Sequence, residues 1–181
     1  MTLMFSYGSN LCRAQMLRRA PNAVSWGKFV LPEWKLVFRG VADVIPMEGA
    51  KVHGGVWKLS PADERNIDIY EGVRSRHYRK EYIPISGVEG EDWLMLYCMN
   101  STGIFPPSEG YLNSIVEGYR DFKLPLRPLY AAVRESWDDK APTYRERHRY
   151  RVKGRPRLAQ RPPEPRNASG RVRNALADKQ E

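Results

Sequence analysis

The sequence has few of the residues and segments on which several classes of protein depend. Two cysteines and three histidines in 181 residues exclude a disulfide framework and make a zinc site unexpected. No run approaches the roughly 20 apolar residues of a membrane-spanning helix, and the first residues lack the basic and apolar segments of a secretory signal. We therefore expect a cytoplasmic protein without a membrane span, in which Cys12 and Cys98 pack in the core.

Charge is distributed unevenly along the chain. Residues 138–181 hold 13 Lys and Arg against six Asp and Glu, a net charge of +7, whereas residues 1–137 carry only +2. Because the 138–181 segment is also rich in proline and poor in apolar residues, burial cannot offset its ordering entropy. We predict a single domain over 1–137 and a flexible basic extension over 138–181. The extension either binds a nucleic acid or an acidic partner, or is simply solvated.

Helix signals occur at four places in the predicted domain. Ser60 can cap a helix that opens with Pro61 and stops at Gly72, and its acidic residues 63, 64 and 68 are interpreted as exposed charges. A third helix carries one apolar face through residue 122. The four predicted helices span 11–19, 60–72, the segment after Pro106-Pro107-Ser108, and the segment from Pro128 to Trp137.

Strand signals cluster between the helices. The candidates are rich in β-branched and aromatic residues and are bounded by glycine, proline or polar turns such as 87–90, which is typical of a hairpin. Since strands and helices do not alternate regularly, we predict an α+β fold with a mixed, largely antiparallel sheet that curls into a small barrel. The predicted strands are 3–7, 34–38, 52–59, 77–85 and 93–99.

The bend Gly8-Ser9-Asn10 between the first strand and the first helix is one candidate site. Backbone N–H groups at a strand-to-helix bend can bind a carboxylate or a developing oxyanion. The same three residues are also ordinary turn formers, so the bend alone leaves both interpretations open.

Glu71 is a second candidate because it lies where the helix opened by Ser60 ends. The negative pole of a helix disfavours a carboxylate, and burial would raise its pKa further. Such a residue is either a solvated surface group or a carboxyl prepared for proton transfer. A neighbouring Arg74 or Arg76 would lower its pKa again.

Four motifs in order resemble those of the γ-glutamylcyclotransferase family. They are Phe5-Ser6-Tyr7-Gly8-Ser9-Asn10-Leu11, Gly54-Gly55-Val56-Trp57-Lys58-Leu59, Tyr70-Glu71-Gly72-Val73 with Tyr78, and Pro106-Pro107-Ser108-Glu109-Gly110-Tyr111. The resemblance spans residues 3–137 and implies a small mixed fold with one substrate pocket that needs neither metal nor organic cofactor. Ser6 departs from the motif, since alanine is common there.

The resemblance also implies roles for individual residues. Glu71 matches the catalytic acid and base, Tyr111 matches a substrate-contacting tyrosine that could equally be core, and Trp57 is interpreted as core. His77 is expected at the surface or in a hairpin. The implied substrate-binding residues are Met4, Phe5, Ser6, Tyr7, Gly8, Ser9, Asn10 and Tyr111.

The implied reaction closes a γ-glutamyl group onto its own α-amine, which releases 5-oxoproline and an amine or amino acid. The substrate supplies the nucleophile, so the chain needs no catalytic serine or cysteine. Two alternatives stay open: a protein of the same fold that binds without catalysis or acts through its basic extension, and a relative specialised for γ-glutamyl amines.

Overall fold

A computed structural model describes residues 1–85 and 93–137. The predicted turn at 87–90 and the basic extension at 138–181 lie outside these residues, so partner binding by the extension stays a prediction. The elements in chain order are β1 (Thr2–Ser6), a 3₁₀ turn (Ser9–Leu11), α1 (Arg13–Arg19), β2 (Val24–Phe38), β3 (Ala42–Leu59), α2 (Pro61–Tyr70), β4 (Tyr78–Pro84), β5 (Trp93–Met99), α3 (Glu109–Asp121) and α4 (Leu126–Trp137).

The five strands form one mixed sheet in the order β2-β3-β1-β5-β4. The central strand β1 runs antiparallel to β3 and parallel to β5, and the β2–β3 and β4–β5 pairs are antiparallel. The predicted α+β fold with a largely antiparallel sheet is therefore confirmed. The sheet does not close into a barrel, because β2 and β4 are its two edges in the described part of the chain.

The β2–β3 hairpin is much longer than the sequence predicted. Its strands have 15 and 18 residues, whereas only 34–38 and 52–59 were expected. Pro32, Pro46 and Gly49 interrupt the strand pattern, which hid the N-terminal halves of both strands, residues 24–33 and 42–51. The register shifts beside Pro32, and β2 is an edge strand, where proline removes no essential ladder bond.

The helices agree with the prediction in number and differ at their ends. The first is preceded by the 3₁₀ turn and begins only at Arg13. The fourth begins at Leu126, before Pro128, because proline is tolerated in the first turn of a helix. Trp137, the last residue of this helix, is 67% exposed. Cys12 and Cys98 are buried free thiols, as expected.

The acidic residues of α2 are not exposed charges, contrary to the prediction. Asp63 is fully buried, where it accepts a hydrogen bond from the Asn22 backbone N–H at 3.3 Å. Glu64 and Asp68 both accept from the Lys80 ammonium, at 2.6 and 2.7 Å. Periodicity missed these contacts because they join α2 to segments distant in the sequence.

Helix α3 packs closely against the end of the bend that follows β1. A Cβ added at Gly118 would lie 2.4 Å from the Leu11 Cβ and 2.5 Å from the Cys12 backbone nitrogen. The helix can approach this closely only because it has no side chain at that position. The described helices include none that is both long and apolar enough to cross a membrane.

Gly118→Ala is expected to lower the free energy of unfolding by about 1 to 3 kcal/mol, because the new methyl group meets backbone that cannot move away. Gly110→Ala in the same helix is the control, since no atom lies within 4 Å of its added Cβ. This control should be neutral or stabilising by up to about 1 kcal/mol. Urea unfolding measures both, and equal effects would contradict the packing argument.

Candidate active site

A cavity of about 280 Å³ lies at the carboxyl end of β1. The bend after β1, the turn between β2 and β3, the end of α2 and several tyrosines form its walls. The lining residues are Phe5, Ser6, Tyr7, Gly8, Ser9, Asn10, Val41, Ala42, Tyr70, Glu71, Tyr78, Tyr97 and Tyr111.

Two hydrogen bonds fix the bend at residues 8–10. The Leu11 N–H donates to the Gly8 carbonyl at 3.0 Å, which closes the 3₁₀ turn. The Trp57 indole N–H donates to the Asn10 carbonyl at 2.9 Å. Trp57 is buried, as predicted, but it also anchors the bend. Its polar end could have suggested this role, because a buried indole N–H usually finds a partner.

Glu71 is positioned by the way α2 ends. Gly72 follows it with φ +62°, a left-handed conformation that favours glycine. The Gly72 N–H donates to the Ile69 carbonyl, and the Val73 N–H donates to the Asp68 carbonyl. These two bonds form the helix-ending Schellman motif. They fix Glu71 as the last residue before the reversal, with its side chain on the cavity.

The electrostatic environment of Glu71 combines opposing effects. Burial raises the pKa of its carboxyl, while a hydrogen bond from Asn10 and the charge of Arg19 lower it. The Asn10 amide donates to Glu71 Oε1 at 2.8 Å. Arg74 and Arg76 are exposed, and the cation that acts on Glu71 is Arg19.

Arg19 is a residue of this site that the sequence reasoning missed. Its guanidinium donates to Asn10 Oδ1 at 2.5 Å, to Ser9 Oγ at 3.1 Å and to Gln15 Oε1 at 2.7 Å. It also lies 3.8 Å from the centre of the Tyr70 ring. An arginine in the last turn of a helix is common for electrostatic reasons, so its sequence position carried no signal of these contacts.

The opposite wall is formed by the β2–β3 turn. The buried Arg39 guanidinium donates to Asp43 Oδ2 at 2.7 Å and to the Gly103 carbonyl at 2.8 Å. Asp43 also accepts from the Met99 N–H at 2.9 Å. Burial raises the pKa of Asp43 despite these bonds. The Arg39–Asp43 ion pair closes the turn that contains Ala42, and Ala42 lines the cavity.

Two tyrosine hydroxyls meet the backbone of Ala42. The Ala42 N–H donates to Tyr111 Oη at 3.1 Å, and the Tyr78 hydroxyl donates to the Ala42 carbonyl at 3.4 Å. Burial raises the pKa of Tyr111 to about 12, while the backbone N–H groups of Ala42 and Ser9 lower it. Burial also raises the pKa of Tyr78. These phenols are therefore neutral at physiological pH.

Tyr7 and Tyr97 complete the aromatic lining. The Tyr7 hydroxyl donates to the Tyr97 carbonyl at 2.5 Å, and the Tyr97 hydroxyl donates to Asp68 at 2.7 Å. Burial raises the pKa of both phenols. Glu71 thus supplies the one carboxyl among these lining residues, and burial raises its pKa above the usual value.

The cavity brings together most of the residues predicted for the site. Glu71, Tyr111 and the segment from Phe5 to Asn10 all border it. Met4 is fully buried in the core and is not a lining residue. His77 is exposed, 3.0 Å from Ser75 Oγ. Whether each lining residue contacts a substrate stays a prediction.

Ser6 is unusual among the lining residues. It is only 4% exposed, and its hydroxyl has no hydrogen-bond partner among the described residues. Buried hydroxyls are normally paired, so this one is free to form a hydrogen bond with a ligand in the cavity. In residues 1–85 and 93–137, no group of three or more His, Cys, Asp or Glu side chains could hold a metal ion.

Known proteins similar to this chain have consistent names. Residues 51–128 match the AIG2-like family. Over 137 residues the chain is 31% identical to a Bos taurus protein named gamma-glutamylcyclotransferase, with 68% of this chain and 73% of that protein covered. The Homo sapiens protein of the same name is 30% identical with the same coverage.

A solved structure described as a gamma-glutamyl cyclotransferase has a similar fold. The superposition has a TM-score of 0.64 at 27% identity and covers 72% of this chain and 85% of that one.

Glu71→Gln is expected to stabilise the protein at alkaline pH. Because burial raises the pKa of Glu71 in the folded state, its contribution to stability falls as pH rises from the unfolded pKa through the folded one. Glutamine removes this loss, so the variant should exceed the wild type in urea unfolding at about pH 8 and approach it towards pH 4. The exposed Glu48→Gln is the control. A difference that is constant across pH would contradict this prediction.

Proposed function

Because this chain belongs to the γ-glutamylcyclotransferase family, we propose that it cyclises a small γ-glutamyl compound and releases 5-oxoproline with an amine or amino acid. The observation that carries the proposal is the shared cavity, in which the half-buried carboxyl of Glu71 and the bend at residues 8–10 face the same space. The 280 Å³ volume suits a single small ligand.

The reaction is an intramolecular acyl transfer. The α-amine nitrogen of the substrate attacks its own γ-carbonyl carbon, a new C–N bond closes the five-membered lactam, and the γ-amide C–N bond breaks. The ammonium loses two protons in becoming the lactam N–H, and the departing nitrogen gains two and leaves as an ammonium. Holding an internal nucleophile against its target can supply an effective molarity on the order of 10⁵ M. The protein therefore has to fold the substrate and move protons between these two nitrogens.

Glu71 is the group that carries protons from the substrate's ammonium to the departing nitrogen. An α-ammonium titrates near 8 and an ordinary glutamate near 4.3, so transfer between them is uphill by about 5 kcal/mol. Burial raises the pKa of Glu71 and reduces this gap. The same carboxyl, once protonated, acts as the acid for the leaving nitrogen, so one residue serves both steps.

Tyr111 is placed to stabilise the oxyanion that forms at the γ-carbonyl. Its oxygen accepts from the Ala42 N–H, and no acceptor in the described residues takes its own proton. The hydroxyl can therefore donate into the cavity. The close approach of Tyr111 to Gly8 supports this arrangement, since a Cβ at Gly8 would lie 3.1 Å from the hydroxyl. The bend and the unpaired Ser6 hydroxyl supply further groups for the glutamyl part.

The activity is tested with a panel of γ-glutamyl dipeptides and γ-glutamyl amines, with 5-oxoproline measured by mass. The full chain should convert at least one member, and the preferred member distinguishes an amino acid from an amine leaving group. Glu71→Gln should abolish the product while the protein stays folded. Glu48→Gln, exposed and outside the cavity, should keep the activity. Turnover retained in Glu71→Gln would remove Glu71 from its role.

Tyr111→Phe is expected to lower kcat by about 10² to 10³ with a similar loss in kcat/KM, as for other oxyanion donors. Tyr119→Phe is the matched control, because this buried tyrosine of α3 donates to the His53 carbonyl at 3.4 Å outside the cavity. The control should keep full kcat. If Tyr111→Phe raised only KM, its hydroxyl would be a binding group and not an oxyanion donor.

A further inference from the structure

We propose that Arg19 is a positioning residue that fixes the amide orientation of Asn10 and thereby holds Glu71 as a carboxylate ready to accept a proton. The inference rests on the proposed function for its consequence in catalysis. Its physical basis is the chain of contacts from Arg19 through Asn10 to Glu71, none of which requires a ligand.

The orientation of an asparagine amide follows from its partners. An arginine guanidinium carries only donors, so the atom of Asn10 that faces Arg19 at 2.5 Å must be the carbonyl oxygen. The Asn10 NH₂ group must then face Glu71, where it lies 2.8 Å from Oε1. An NH₂ donor bonds more strongly to a carboxylate oxygen than to the carbonyl oxygen of a neutral carboxyl, and it cannot accept the proton of a carboxylic acid. Arg19 thus favours the basic form of Glu71.

Without Arg19, either end of the Asn10 amide could face Glu71. The flipped amide would present its carbonyl oxygen, which pairs with a protonated carboxyl. A buried carboxyl already favours the neutral form, so the flip would reinforce burial. The base would then be protonated over more of the pH range in which it has to act.

The other contacts of Arg19 keep its guanidinium in place. Ser9 Oγ and Gln15 Oε1 accept from it, and the Tyr70 ring stacks against it. Arg19 is half-buried in the last turn of α1, behind the bend and outside the cavity lining. It therefore acts through Asn10 and not by contact with a substrate.

The other titratable side chains that line the cavity with Glu71 are phenols. Tyr70, the last residue of α2, lies beside Arg19. The other four follow β1 or lie on β4, β5 and α3, and burial raises the pKa of each. Among the described residues, Arg19 is the cation whose charge lowers the pKa of Glu71. The four phenols are Tyr7, Tyr78, Tyr97 and Tyr111.

The test compares Arg19→Met and Arg19→Lys with Arg18→Met as the matched control, because Arg18 is an exposed neighbour on the same helix. Arg19→Met should move the acidic limb of the kcat/KM profile to higher pH by about one unit, so that the rate loss is about tenfold below the limb and small above it. Arg19→Lys keeps a donor and a charge, so its acidic limb should lie close to the wild-type pH. Arg18→Met should not move the limb.

A second measurement does not depend on activity. The carboxyl of Glu71 is titrated by NMR in full-length protein labelled with ¹³C-glutamate, and Glu71→Gln assigns its signal. The midpoint should rise in Arg19→Met and stay unchanged in Arg18→Met. If the wild type released no 5-oxoproline while this midpoint still rose, the proposed function would fail and the positioning role would stand. An unchanged midpoint, or a rate loss of equal size at every pH, would overturn the role of Arg19.

Discussion

The hydrogen bond between the Asn10 amide and the Glu71 carboxyl joins two segments that are 61 residues apart. One segment is the bend that follows the central strand, and the other is the end of α2. Every other feature of the cavity is arranged around this contact: Arg19 and Trp57 hold the bend, and the glycine reversal holds the carboxyl. The site is therefore a junction of two separately stabilised turns.

Stability and chemistry oppose each other at this junction. A half-buried carboxyl beside neutral phenols makes the folded protein less stable when ionised, yet the raised pKa also narrows the difference in basicity between this carboxyl and an amine. The Ser6 hydroxyl, buried with no partner in the described part of the chain, is a second local cost at the same cavity. Sites that bind and react commonly retain such unsatisfied groups, because a ligand satisfies them.

Local sequence signals predicted the parts of the molecule that short-range physics decides. The caps of α2, its glycine stop and the bend at residues 8–10 were found because each depends on neighbouring residues. The anchoring role of Trp57 and the burial of Asp63 were missed, since their partners lie 47 and 41 residues away. Arg19 was missed because its contact with Asn10, nine residues away, depends on how the bend lies against α1. The N-terminal halves of β2 and β3 were missed because each pairs with the predicted half of the other strand, and this pairing overrides prolines and glycines that weaken each strand alone.

The reversal after α2 separates the placement of the carboxyl from the route of the chain beyond it. Its two backbone bonds are complete at Val73, and the Ser75 hydroxyl and the His77 N–H then both donate to the Gly72 carbonyl, which braces the turn from the following segment. The exposed side chains of Arg74 and Arg76 form none of these bonds, so their charge can change while the backbone of the turn keeps its course. The reversal thus separates the position of the carboxyl from the charge of the exposed residues that follow it.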